Sequence, residues 1–306
     1  MRRCLLTLLL SLSASLGMAQ TLSLTFDDGL HPGKFPEAPL WNQQMLASLK
    51  AAEVSAMVFP SLVRTGGEAG LELIREWGRQ GHAVGNHTAS HHSLASAQVS
   101  LADFIADVQQ AEASLRSMPR WTSMLRFPYL KEGDTLEKRD GMRRWMQSAG
   151  YRAAPVSIDA SDWYYNQIYS VWMELGQAGK AEQVKAAYIA HLLDRGAYYD
   201  GLARQVLGRS PAHVLLLHTS RINAAALADV IAAFRAQGWT VVSPEMAFAD
   251  PLYAMQPDTL PAGESVIWAM AKVRQLPGLR YPAEDAVYEA PALEAQGLLP
   301  PAYKKP

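Results

Sequence analysis

Two adjacent carboxylates, Asp27 and Asp28, follow the β-patterned run Leu22-Ser23-Leu24-Thr25-Phe26 and precede Gly29, which permits the sharp turn that would present both outward. Two neighbouring acids at a strand end invite a cation. His87 and His91 are four residues apart, so a helical turn after Asn86 would set both imidazoles on one side, and two His with one carboxylate leave a metal one open position for water. Arg126 precedes Pro128, which forces extended backbone, so its guanidinium projects from a strand end and can hold one aspartate bidentately. Asp159, Asp162 and Trp163 follow Val156-Ser157-Ile158, and His218 closes the apolar run Val214-Leu215-Leu216-Leu217. With one of those aspartates to orient a ring nitrogen, His218 is a candidate proton donor. Singly, these strings read as a solvated turn, a helix-face pair, a surface arginine and a core histidine. Together, each directly after an apolar run, they describe a one-metal hydrolase.

The elements that must position them alternate along the chain. Strand-like runs cover Leu22 to Phe26, Ser55 to Phe59, Ala83 to Asn86, Met124 to Tyr129, Ala154 to Ile158, His213 to His218 and Thr240 to Ser243. Amphipathic stretches lie between them, from Gln44 to Ala51, Gly70 to Arg79, Leu101 to Arg116, Lys138 to Ser148 and Ala224 to Ala236. Gly81, Gly150 and Gly238 read as helix stops and Asn223 as the N-cap of the last helix. Repeated βα units give a parallel sheet, and seven strands suit a barrel, whose chemistry sits at the C-terminal strand ends. Residues 164–211 break the alternation: Val184, Tyr188, His191 and Leu192, then Leu202 and Val206, suggest two helices rich in aromatic neighbours. Those aromatics suit packing against the barrel ahead of sugar stacking. From Pro251 onward the chain holds nine of its eighteen prolines around one helix from Glu264 to Gln275, which predicts an extended tail wrapping the barrel.

Composition narrows the setting. Residues 1–19 carry Arg2 and Arg3, an apolar stretch from Cys4 to Leu16 and a small-x-small ending at Ala19, the pattern of a cleaved secretory signal peptide. An exported protein, periplasmic or extracellular, is expected, without a membrane anchor. Cleavage removes the only cysteine, so a metal must be held by His and carboxylates. It also removes two of 28 basic residues and none of 29 acids, leaving a charge near −3 that argues against nucleic-acid binding.

With these strings in view, residues 20–250 closely resemble the polysaccharide deacetylases of carbohydrate esterase family 4, the NodB homology domain; all five family motifs occur in the family's order. The resemblance implies an α/β fold, a deformed (β/α)7 TIM-like barrel, here with a helical insertion at 164–211 and a Pro-rich C-terminal extension at 251–306. It implies one divalent ion, usually zinc, on Asp28, His87 and His91, with Asp27 as general base held by Arg126. It further implies Asp162 orienting His218 as general acid, the N–H of Tyr129 in the oxyanion site, and Trp163 and Leu216 walling a pocket for the acetyl methyl. Both neighbours of the aspartate pair, the ion and Arg126, are expected to favour ionised carboxylates. The chain departs from the family in Leu30-His31, where many relatives have proline, and in the fifty residues between Trp163 and His218.

The expected activity is metal-dependent deacetylation of an N-acetylated glycan, with peptidoglycan ahead of chitin oligomers. The alternatives are an acetylxylan or small acetyl esterase on the same site, a non-catalytic glycan-binding barrel, or hydrolysis of another bond. The choice between Asp159 and Asp162 as partner of His218, and the oligomeric state, stay open.

Overall fold

The computed structural model describes residues 20–280, 282 and 286–303 of the 306. The expected leader, residues 1–19, lies outside them. In chain order the elements are β1 (Thr21–Asp28), α1 (Ala38–Ala51), β2 (Met57–Pro60), the one-turn α2 (Leu62–Thr65), α3 (Glu68–Arg79), β3 (Ala83–Asn86), α4 (Leu101–Leu115), β4 (Trp121–Leu125), β5 (Lys131–Gly133), α5 (Leu136–Ala149) and β6 (Arg152–Ala153). They continue with α6 (Asp162–Glu174), α7 (Ala178–Leu207), β7 (Ala212–His218), α8 (Arg221–Ala236), β8 (Thr240–Val241), the one-turn α9 (Pro244–Ala247), β9 (Ala262–Gly263), α10 (Val266–Val273) and α11 (Ala286–Ala295).

Seven strands form one parallel sheet in the order β6-β4-β3-β2-β1-β7, with β8 beside the start of β1. β1 is its spine. β7 follows one edge from Thr21 to Asp27, so the other edge is shared, β8 taking Thr21 and Leu22 and β2 taking Thr25 to Asp28. Leu22 to Asp27 are all buried, as a strand covered on both faces must be. Trp77 of α3 packs on Phe26 at 5.2 Å and donates its indole N–H to Asn42 of α1 at 2.7 Å, locking two outer helices to the spine.

The sheet curls until it closes. Residues 152–158 leave β4, where Ala153 faces Leu125, and reach β7, where Ile158 bridges Leu215. The result is the deformed (β/α) barrel expected from the resemblance. The run expected as a strand from Ala154 to Ile158 is reduced to that bridge, because Pro155 has no N–H for a ladder. β4 likewise ends at Leu125, and Pro128–Leu130 form a 3-10 turn that starts at the proline.

Three further expectations change. Val184 to Val206 lie on one helix of 30 residues, not two, and the second helix of the insertion is α6, upstream. Gly196 does not break α7: a methyl group there would stand 2.9 Å from the Phe234 ring, so the glycine marks close approach to α8. The N-cap of α8 is Ser220, whose hydroxyl accepts the N–H of Asn223. The tail is partly structured: β9 pairs antiparallel with β5, α10 packs on α7, and Trp172 donates to the Leu298 carbonyl at 2.7 Å. Tyr164, Tyr165, Tyr169, Tyr188 and Tyr199 are buried in the main core, the packing role favoured for the aromatic insertion.

One contact inside the barrel bears on the site. Gly85 of β3 faces Phe59 of β2 so closely that a Cβ would stand 2.5 Å from the ring. The bare glycine lets that ring lie 4.6 Å from the Arg126 guanidinium.

Candidate active site

β1 and β7 end side by side, with Asp27 opposite His218 in register, so the aspartate pair and the histidine open from neighbouring strands at the C-terminal end of the barrel. Asp28, the last residue of β1, still pairs with Pro60 but has φ of 81°, and Gly29 follows at 98°. The two carboxylates therefore separate: Asp27 points inward and is buried, while Asp28 is partly open.

Asp27 sits on Arg126, which is fully buried at the end of β4. Nη1 donates to its two oxygens at 3.0 and 3.3 Å, Nη2 donates to Thr25 Oγ1 at 3.2 Å, and Nε donates to the Ala154 carbonyl at 2.6 Å. Every edge of the guanidinium is thus satisfied, which a buried cation requires. As expected, Arg126 favours the ionised form of Asp27 through its charge and its hydrogen bonds. Burial outweighs the guanidinium, and the Asp27 carboxyl is pushed up to about 6.

Asp28 faces two imidazoles. Its Oδ1 is shielded from solvent and receives no well-formed hydrogen bond, with Nε2 of His91 at 3.2 Å and Nε2 of His87 at 3.9 Å. Burial opposes its charge, yet the His91, His218 and His87 rings together hold its carboxyl below the usual carboxylate range. Burial also holds the His87 ring well below the imidazole range. Its Nδ1–H donates to the Arg126 carbonyl at 2.7 Å, which fixes the tautomer that aims the Nε2 lone pair at Asp28. One ligand atom from each of Asp28, His87 and His91 lies within 4.8 Å of the others. A tetrahedral ion bound at about 2.1 Å needs its ligands about 3.4 Å apart, so the donor set and its orphaned oxygen fit a divalent cation.

The His pair does not reach this arrangement by a helix, as its spacing suggested. Thr88 and His91 have φ of 67° and 57°, left-handed values that a β-branched residue seldom adopts. Asn86 Oδ1 accepts the Thr88 N–H at 2.8 Å and Thr88 Oγ1 accepts the His91 N–H at 3.1 Å, so side chains fold the loop back on itself. Such strain costs about 1–3 kcal/mol per residue and gathers where structure is held for a purpose. His92 is exposed and turned away.

His218 is paired with Asp162, not Asp159. Its Nδ1–H donates to Asp162 Oδ1 at 2.7 Å and its backbone N–H donates to Oδ2 at 2.6 Å. Asn223 donates to the same Oδ2 and to the His218 carbonyl, both at 2.8 Å, and Tyr188 of α7 donates to Asn223 at 2.6 Å. Burial works against charge on this ring, but the carboxylates of Asp162, Asp28 and Asp27 prevail and push His218 up to about 10. Asp159 is also buried, and its carbonyl accepts from Arg195 of α7 at 2.9 Å.

Tyr129 is exposed, with φ of 57° in the turn after Pro128, and its ring lies edge-on to His91 at 4.8 Å. Leu216 is buried in β7, and Trp163 at the start of α6 packs half-buried on the core beside Tyr164. Four residues of the site were not foreseen. Thr25 links Arg126 to the Leu215 carbonyl, Asn223 and Tyr188 hold Asp162, and Arg64 of α2 places Nε 3.7 Å from Asp28 and Nη2 3.4 Å from His91 Nδ1. Arg64 follows β2 as Arg126 follows β4, the signal that marks it. Tyr188 carries no such signal, being a core residue by pattern.

The polysaccharide deacetylase family model matches residues 17–154. A peptidoglycan N-acetylglucosamine deacetylase of Bacillus cereus is 27% identical over 143 residues, 46% of this chain and 46% of that protein, so the match spans about half the length of the curated relative. Among solved structures, a mutant of a carbohydrate esterase family 4 pseudoenzyme with restored activity aligns with a TM-score of 0.52 at 16% identity, covering 75% of this chain and 68% of its own. A family 4 esterase of Streptococcus mutans aligns at 0.51 and 19% identity, covering 74% and 87%. At these identities the solved structures bear on the fold, and the family model bears on residues 17–154. Residues 17–154, which hold Asp27, Asp28, His87, His91 and Arg126, are thus similar to the polysaccharide deacetylase family.

Proposed function

We propose that this protein is a metal-dependent deacetylase that hydrolyses acetyl groups from an N-acetylglucosamine-containing glycan, peptidoglycan ahead of chitin oligomers. In this reading it is exported after cleavage near Ala19, with residues 20–250 as the catalytic unit. The observation that carries it is the meeting, at one end of the barrel, of the Asp28–His87–His91 donor set with two buried proton carriers, Asp27 on Arg126 and His218 on Asp162. Groups pushed to about 6 and about 10 are, at neutral pH, a base ready to accept and an acid ready to give.

Asp28, His87 and His91 would hold the ion, for which zinc suits the two nitrogens and one carboxylate. When bound, it supplies Lewis acidity to the acetyl carbonyl and to a water molecule. Asp27, fixed by Arg126, takes the proton of that water. The Tyr129 N–H donates to the developing oxyanion, an effect of about 3–4 kcal/mol for one such donor. His218 passes the Nε2 proton to the departing amine while Asp162 retains the Nδ1 side. Leu216 and Trp163 wall the acetyl methyl group. The same groups serve an ester, so the bond is decided by the sugar presented.

Acetate release measured across peptidoglycan, chitin oligomers, acetylxylan and small acetyl esters tests the proposal. Release from the first two that stops with a chelator and returns with zinc is the expected result. Release from acetylxylan or small esters alone replaces the substrate, and glycan binding without acetate release overturns the activity.

A further inference from the structure

Ser161 precedes Asp162 and stands at the N-cap position of α6, yet its hydroxyl makes no capping bond to the helix. It donates to Glu289 Oε1 at 2.9 Å instead. Glu289 belongs to α11, in the C-terminal segment and 128 residues away in sequence. Its other oxygen meets His191 Nδ1 at 3.4 Å, and Nε2 of that ring accepts the Ser161 backbone N–H at 3.1 Å. Because Nε2 accepts, the His191 proton is on Nδ1, facing the carboxylate. The serine is thus gripped twice, at its hydroxyl by the tail and at its amide by α7.

The grip closes a gap in the ladder. The last sheet contact before this loop is the Ile158–Leu215 bridge, and the next regular structure is α6, whose first residue is Asp162. Between them, the Asp159 carbonyl is held by Arg195 and Ser161 by His191 and Glu289. Glu289 and His191 are both buried or nearly so, and Tyr165 lies 4.9 Å from the His191 ring, so the contact is shielded from water.

We infer that Glu289 and His191 are positioning residues for His218, acting through Ser161 to hold Asp162, so that the C-terminal segment is a working part of the acid arm. The inference rests on His218 being the proton donor of the proposed deacetylation. A tail that merely covers the barrel would need an apolar seal, and Leu293, Leu298 and Leu299 supply one. The buried carboxylate is costly for that purpose and is spent on a residue adjoining Asp162.

The test uses the full chain loaded with zinc, comparing Glu289→Ala and Ser161→Ala with wild type. Two readouts are taken: steady-state kinetics of acetate release, and the low-field proton resonance of the His218 Nδ1–H bonded to Asp162. Glu289→Ala is expected to lower kcat at least tenfold with KM within twofold, to broaden or abolish the resonance, and to leave one zinc per chain. Ser161→Ala is expected to act in the same direction, and the double variant to be little worse than Glu289→Ala, since both remove one contact. A folded Glu289→Ala protein with wild-type kcat and an unaltered resonance overturns the inference. Should Glu289→Ala fail to fold, Ser161→Ala decides alone, and wild-type values for it refute the grip. Failure of the wild type to release acetate from any substrate defeats the proposed function, while the resonance still judges the positioning role.

Discussion

The two arms of this site, the proposed base arm around Asp27 and the proposed acid arm around His218, are built on different principles. Asp27 projects from the middle strand of a continuous ladder and meets an arginine at the end of another strand, with Thr25 and the Ala154 carbonyl completing the shell. Asp162 begins a helix beyond a single bridge and is held by Asn223, Tyr188 and the loop before it, from helices that lie outside the family match. Where the backbone supplies the aim, one buried ion pair is enough; where it does not, a chain of side-chain hydrogen bonds replaces it. The first arm is preorganised by the sheet and the second by packing among α6, α7 and α8.

The sharpest break between the arms is metal content. Asp28→Ala or His91→Ala should lose the zinc and all detectable acetate release, read by metal analysis of dialysed protein, and a zinc-replete Asp28→Ala protein would break the ligand set. Asp27→Asn and His218→Asn should each cut kcat by about 10²–10⁴ while keeping the zinc, because each removes one proton transfer. Loss of metal on changing His218 would join the two arms that the geometry separates. Arg126→Met should cost about 3–5 kcal/mol in urea unfolding, since it leaves the buried Asp27 without its partner. Tyr188→Phe removes one hydrogen bond of the acid arm, should cost about 1 kcal/mol, and should lower kcat without touching the zinc.

A pH profile compares both arms in one measurement. In the proposed mechanism Asp27 must be ionised and His218 protonated, so kcat/KM should rise as pH passes about 6 and fall as it passes about 10. A cation on Asp28 disfavours added protons on both groups and moves both limbs to lower pH. Arg126→Met should raise the acid limb and leave the alkaline one.

The difference between the arms also explains what the sequence made legible. Buried parallel strands are apolar runs, and whatever polar residue follows is placed at the mouth, so Asp27, Asp28, Arg126 and His218 could be picked out by position alone. His87 and His91 were rightly paired but wrongly placed on a helix, because the loop depends on Asn86 and Thr88 bonding to backbone amides, which no periodicity records. Asn223 sits three residues after Ser220, and either type can cap; only the fold shows that Asn223 turns to Asp162 instead. Tyr188 and Glu289 act across 35 and 128 residues of chain, and such partners follow from tertiary packing alone. The reduction of the Ala154 to Ile158 strand was legible in Pro155.

The Phe59 ring beneath Arg126 has one more consequence. It is seated there because position 85 carries no side chain, a Cβ at that point falling 2.5 Å from the ring and 2.8 Å from the Met57 methyl. A single carbon atom added on β3 must tilt the ring, the ring shifts the guanidinium, and the guanidinium carries Asp27 with it. Gly85 thus governs the aim of Asp27 at third hand, and a substitution there, remote from every proposed catalytic group, would act on the proposed proton acceptor.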